Sequence, residues 1–322
     1  MLHSNRRTPG TLALAAVAVL VLSGCGESAA GQPQGSGSGS ANQARNPDTL
    51  VFAAVPSEEA TSLEQSYKSV MNLLEKETGK KITFQKATDY AAIIEGQRSG
   101  KVDIAQYGPF SYVLARNSGV QTNPIGAQVK KKGEKPGYKS YAVTRAASPI
   151  SDLAGFKGKK VCFVDPNSTS GYLYPRAGLM AAGIDPDKDL TAVMAGGHDA
   201  SALAVASGQC DAGFAQESMI DVTLIDKGQL KPGDLKTVWK SEVIAGSPVA
   251  VSADLDPALQ QKISAAFTEK ANVDYLRANG LCGEKCQVGD GGSWGYVAVD
   301  DQVFDGVRKV CEVTRDKKCV KS

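Results

Sequence analysis

The run Asp165-Pro166-Asn167-Ser168-Thr169-Ser170-Gly171 concentrates hydrogen-bonding chemistry as no other stretch of the chain does. It follows Lys160-Val161-Cys162-Phe163-Val164, which reads as a buried strand, and leads into Gly171–Ala182, which reads as a helix. Strand, hydroxyl-rich turn and helix together aim backbone N–H groups at one point. The first turn of a helix has N–H donors without intrahelical partners, and the macrodipole adds partial positive charge there. With the hydroxyls of Ser168, Thr169 and Ser170 as further donors, a tetrahedral oxyanion would find about four to six donors and no formal charge. The same residues also suit an ordinary N-cap, so the turn alone leaves both readings open.

The elements around this turn follow a repeating pattern. Leu50–Val55 reads as a strand ended by Pro56. A helix over 64–78 carries Leu63, Tyr67, Val70, Met71 and Leu74 along one face, and Gly79 stops it. A strand at 81–85, a helix at 90–99 and a strand at 102–107 continue the alternation, which predicts a mainly parallel sheet covered on both faces. Further strands at 125–129 and 139–145 precede a second α/β series, with strands at 160–164, 191–194 and 211–215 and helices after Ser168, at 199–207 and at 217–227. Strands at 237–239 and 248–251 return the chain, and helical segments over 256–278 precede a cysteine-bearing tail. The expected fold class is α/β, with two lobes around a cleft. Lobe 1 is drawn from 49–142 plus 248–322 and lobe 2 from 143–247, with hinges near Tyr141–Thr144 and Gly246–Pro248. Ligands of such folds sit between the lobes at strand C-termini.

The N-terminus predicts an address. His3, Arg6 and Arg7 precede an apolar stretch from Thr11 to Leu22, too short to span a bilayer. It ends in Leu22-Ser23-Gly24-Cys25, which resembles the bacterial lipobox. That resemblance implies a signal peptide over 1–24 and a lipid on Cys25. Residues 25–48 are Gly- and Ser-rich with almost no apolar side chains, a flexible tether of roughly 25 Å. The 322 residues carry 36 Lys and Arg against 34 Asp and Glu, a net charge of +2. That is not the basic surplus of a nucleic-acid binder.

Several motifs in order, Asp89-Tyr90, Gln106-Tyr107-Gly108-Pro109-Phe110-Ser111, Gly137-Tyr138, the 165–171 turn, Ala195-Gly196-Gly197-His198 and Trp239-Lys240-Ser241, resemble the phosphonate/phosphite-type periplasmic solute-binding proteins of ABC importers. The resemblance runs from about Thr49 to Phe267 and fits the final segment, with its four cysteines, poorly. It implies a two-lobed periplasmic-binding-protein fold of type II and a phosphorus oxyanion (phosphonate, phosphite or phosphate) as ligand. Ser168, Thr169 and Ser170 would hold the phosphonyl oxygens, with donors added by Tyr90, Tyr107 and His198. Where aminoalkylphosphonate-binding members carry Gly-Asp-Pro, this chain has Gly246-Ser247-Pro248, which favours a small ligand without an amine. Glu217 lies near the family's other amine-facing acid. An ABC permease with its ATPase is the implied partner, for a monomeric, lipid-anchored receptor outside the cell membrane that needs no cofactor.

Two other classes meet obstacles in the residues. Ser168 and His198 are a candidate nucleophile and base for a hydrolase of phosphonates or esters, but no G-x-S-x-G elbow surrounds the serine. A His-based metal site is excluded, because one histidine remains once His3 is cleaved away. Cys282, Cys286, Cys311 and Cys319 read as disulfides in an extracytoplasmic chain rather than as a zinc site. With Cys162 and Cys210 they allow fifteen connectivities. The expected one joins Cys162 to Cys210, which flank strands of the second lobe, and makes two bridges within the tail.

Overall fold

The computed structural model describes residues 44–319 except 285 and 290. The signal segment, Cys25 and most of the tether lie outside the described residues. The chain forms β1 (Thr49–Ala54), α1 (Ala60–Thr78), β2 (Lys81–Gln85), α2 (Tyr90–Arg98), β3 (Ile104–Gln106), α3 (Pro109–Asn117) and β4 (Thr122–Val129). Then come β5 (Gly137–Tyr138), β6 (Ser140–Arg145), β7 (Lys160–Phe163), a π-helical turn (Thr169–Leu173) running into α4 (Tyr174–Ala181), β8 (Thr191–Met194) and α5 (His198–Ala206). β9 (Ala212–Gln216), a second π turn (Met219–Thr223) with α6 (Leu224–Asp226), β10 (Leu235–Lys240), β11 (Ile244–Ala245) and β12 (Pro248–Ser252) follow. α7 (Pro257–Ala265), α8 (Val273–Ala278), β13 (Gly295–Val297) and α9 (Asp305–Thr314) complete the sequence.

Local chemistry accounts for these elements. In α1, Leu63, Tyr67, Val70 and Leu74 recur at helical spacing and are buried. The Glu59 carboxylate accepts from the Thr61 and Ser62 N–H groups, and Gly79 ends the helix at φ +69°, a left-handed position open to glycine. α2 and the short 3₁₀ turn at Leu153–Phe156 start with Asp89 and Asp152 as caps.

One sheet has the order β13-β4-β12-β3-β1-β2 and the other β10-β6-β9-β7-β8. Each is mixed rather than mainly parallel. β3-β1-β2 and β9-β7-β8 pair in parallel, as β-α-β units must. β12, β4 and β13 extend the first sheet antiparallel, and β6 and β10 do so in the second. All of these antiparallel additions but β13 are the strands on which the chain passes from one sheet to the other or returns.

Of the two expected hinges, Gly246–Pro248 lies where the chain returns, between β11 and β12, and the other lies elsewhere than expected. Tyr141–Thr144 sits inside β6, bonded to β9 on one edge and β10 on the other, so the boundary drawn at 142/143 cuts a central strand. The two connecting segments instead pair with each other, β5 against β11, in a small ribbon between the sheets. The tail, which the sequence left without elements, adds β13 to the first sheet. It also adds α9, whose Val307 and Cys311, with Phe304 just before it, share one apolar cluster with Tyr112 and Val113 from the first lobe and Val164, Leu173 and Tyr174 from the second.

The expected disulfides form: Cys162–Cys210, Cys282–Cys286 and Cys311–Cys319. The first closes a 48-residue separation and joins β7 to the approach to β9. Closing a loop of that length is worth about 4 kcal/mol in the chain-entropy account. Cys162→Ala with Cys210→Ala should therefore lower the urea-unfolding free energy by about 2–4 kcal/mol, whereas removing the Cys282–Cys286 bridge should cost less. Equal losses would show that loop closure is not what the longer bridge contributes.

Candidate functional site

The residues that could hold an anion meet between the lobes. β7 delivers the chain to Asp165, whose Oδ1 accepts from the Asn167 N–H at 2.7 Å in a side-chain turn. Ser168 caps the π turn, its Oγ accepting from the Gly171 N–H at 3.0 Å. Gly171 must be glycine, because an added Cβ would stand 2.3 Å from Val164 Cγ2. Ser168, Thr169 and Ser170 are each buried. Ser170 is fixed through its carbonyl, which accepts from Ser140 Oγ at 2.6 Å.

From the opposite lobe, β3 runs through Tyr107 and Gly108 into α3, with Pro109 in the first turn where its missing N–H costs nothing. The two helical N-termini meet across the cleft, where the Phe110 N–H donates to Thr169 Oγ1 at 2.8 Å. Gly108 stands close enough that a Cβ would lie 3.3 Å from Thr169 Oγ1. The lobes are shut. The His198 N–H donates to the Ser57 carbonyl at 2.9 Å, the Glu59 N–H to Asp199 Oδ2 at 3.0 Å, and Lys227 pairs with buried Glu58.

Between these ends lies a small cavity of ≈ 20 Å³, room for about one compact tetrahedral group. Tyr90, Tyr107, Ser168, Thr169, Ser170, His198 and Ser247 all line it. None of the described lining residues carries a formal charge. His198 is no exception. Its Nδ1 accepts from the Gln216 N–H at 3.0 Å, so the ring proton sits on Nε2. Burial alone pushes its pKa from 6.5 to about 3, and at neutral pH it is an uncharged donor. Its Nδ1 lone pair is already occupied, so the ring is poorly placed to serve as a base for Ser168.

Two expected contributors are arranged differently. Tyr107 lines the cavity, but its phenol donates to Gln97 Oε1 at 2.9 Å, and burial raises its pKa well above the ordinary phenol value. What it offers the cavity is its ring and backbone. Glu217 does not line the cavity. Its Oε1 lies 2.5 Å from Lys130 Nζ and accepts from the Lys139 N–H at 2.8 Å, because Glu217 continues the pairing of β9 and faces the hinge segment.

Ser57 and Gln216 line the cavity without having been singled out by sequence, and Tyr138, part of one quoted motif, lines it without having been assigned a role. Ser57 Oγ is buried with no hydrogen-bond partner among the described residues. Its signal was available: Ser57 stands between β1 and α1, in the same strand–turn–helix setting as Ser168.

Two helical N-termini closing on a buried neutral cavity define a two-lobed binding protein for a small anion. Residues 52–281 match the model of the family described as ABC transporter, phosphonate, periplasmic substrate-binding protein. The chain belongs to that family, whose members are extracytoplasmic receptors serving ABC importers and not enzymes. It is 49% identical over 282 residues to the phosphate-import protein PhnD of Mycolicibacterium smegmatis, covering 85% of this chain and 88% of that one. It is 31% identical over 227 residues to the phosphonates-binding periplasmic protein of Escherichia coli, covering 69% of this chain and 66% of that one. A crystal structure of a phosphonate-transporter binding component from Pseudomonas aeruginosa superposes with a TM-score of 0.73 at 26% identity, covering 83% of this chain and 86% of the other.

The buried imidazole makes ligand-free stability depend on pH. The unfolded chain takes up a proton near pH 6.5 that the folded ring refuses down to about pH 3, so this contribution falls as the pH falls through that window. At pH 5 the loss relative to pH 7 should be about 2 kcal/mol. Urea unfolding at both pH values should show that part of the slope vanish in His198→Gln; an unchanged slope would mean that the ring titrates normally.

Proposed function

We propose that this chain captures a single small phosphorus oxyanion, inorganic phosphate or a phosphonate, in the closed cavity and presents it to an ABC permease. The observation that carries the reading is the meeting of two helical N-termini, from opposite lobes, at the Thr169–Phe110 hydrogen bond beside a cavity of tetrahedral size. Ser168, Thr169, Ser170, Tyr90 and His198 are assigned as the donors, with Ser57 added to them. Ser168 Oγ, Thr169 Oγ1 and His198 Nδ1 each accept a backbone N–H, which leaves the two hydroxyl protons and the His198 Nε2–H to donate to the anion. Fixed donors replace the hydration shell of an anion without a countercharge. The names of the relatives, one for phosphate import and one for phosphonates, support the ligand class. The lipobox-like run at Cys25 supports a lipid anchor, with the tether letting a monomeric receptor range over the membrane surface.

The test is calorimetric titration of the mature domain with phosphate, phosphite, methylphosphonate and 2-aminoethylphosphonate, with sulfate alongside. Phosphate or methylphosphonate should bind. Thr169→Ala and His198→Ala should each weaken binding by about 1–3 kcal/mol, roughly 5- to 150-fold, because a buried oxygen loses a donor. Preference for sulfate would transfer the site to another anion, and full affinity in both variants would remove the assigned donors.

A further inference from the structure

A second chamber adjoins the first. Its ≈ 40 Å³ exceeds the ≈ 20 Å³ of the inner cavity, and the two share Tyr138, Gln216 and Ser247 as walls. Ser247 is the smallest of the three, and it stands where the resemblance places an aspartate in amine-binding relatives. The outer wall comes from the tail loop bearing Gly291 and Ser293, which lies beyond the 52–281 span of the family match. That loop rests directly on the opposite lobe. A Cβ on Gly291, whose φ is +74°, would fall 2.4 Å from Ser218 Oγ. Val288, buried in the core, and the Gly289 N–H bonded to the Ser66 carbonyl hold the loop at its base, and the Cys282–Cys286 bridge precedes it.

The lining is polar. Gln128, Lys130, Ser218 and Ser293 face a space to which Val129 is the one aliphatic contributor larger than glycine. Lys130 is held by Glu217, whose Oε1 is also engaged by the Lys139 N–H. An ammonium entering here would find that carboxylate already shared between a cation and a backbone donor.

We propose that this chamber receives the carbon substituent of a phosphonate, and that the tail loop restricts it to a short, uncharged, hydrogen-bonding group such as hydroxyethyl. The proposal rests on the phosphorus-oxyanion reading above. The phosphonyl group occupies the inner cavity, the carbon chain passes beside Ser247, and a terminal hydroxyl meets the side chains of the outer chamber. Space for about two or three heavy atoms is available before the loop is reached.

The experiment compares phosphate, methylphosphonate, ethylphosphonate, 2-hydroxyethylphosphonate and 2-aminoethylphosphonate by calorimetry on the mature protein. 2-Hydroxyethylphosphonate should bind at least roughly fivefold more tightly than both the ethyl and the aminoethyl compounds, the gain expected of one added hydrogen bond. Ser293→Trp should fill the chamber, abolishing that preference while leaving phosphate affinity within about twofold. Binding of phosphate and methylphosphonate with rejection of every two-carbon substituent would overturn the chamber while leaving the phosphorus-oxyanion reading intact. So would tightest binding of the aminoethyl compound, or an undiminished preference in Ser293→Trp. Where that variant loses phosphate too, the selectivity order of the unmutated protein decides. Failure to bind any of the compounds would defeat both readings.

Discussion

An anion buried without a countercharge must be met by donors that cannot turn away, and that requirement organises this molecule. A serine or threonine hydroxyl can donate or accept, and a neutral imidazole does one at each nitrogen. Here each already accepts a backbone N–H: Ser168 from Gly171, Thr169 from Phe110 and His198 from Gln216. The site is pre-organised because its side chains are bonded to the chain that carries them. Two of these bonds are local to one lobe, and the third spans the cleft.

That third bond links binding to shape. Thr169 reaches the Phe110 N–H only when the lobes are together, and so do the contacts of Ser57 with His198 and of Glu58 with Lys227. The proposed anion-facing geometry is therefore complete only in the closed arrangement, since opening the lobes would break the Thr169–Phe110 bond. Glu58 and Glu59 stand next to Ser57 in sequence yet do not repel an anion in the cavity, since Lys227 holds the first and helix α1 the second.

Features fixed by short-range chemistry were legible in the sequence. The strand, turn and helix at 160–182, the apolar face of α1 and the bridge from Cys162 to Cys210 depend on neighbours in the chain or on strand adjacency. Side-chain direction at the ends of strands was harder to read. Tyr107 turns to Gln97 because α2 packs beneath it, and Glu217 turns to Lys130 because β9 carries its pairing one residue further. Pro56-Ser57-Glu58-Glu59 resembles any helix start, and the place of Ser57 shows only once Lys227 is paired with the neighbouring acid. The tail was opaque for a different reason. α9 is short, and its buried residues acquire meaning only against α3 and α4, which lie more than a hundred residues earlier.

The neutrality of the cavity reaches beyond the cleft. No cation among the described lining residues cancels the charge of an anion bound there, and His198 takes up no proton at neutral pH. Whatever charge the ligand brings is added to the protein whole. Against a formal balance of only +2 across the entire chain, a dianion is a large change. An empty and a loaded receptor would therefore differ in electrophoretic mobility, and a transporter approached at modest ionic strength would meet two electrostatically distinct surfaces.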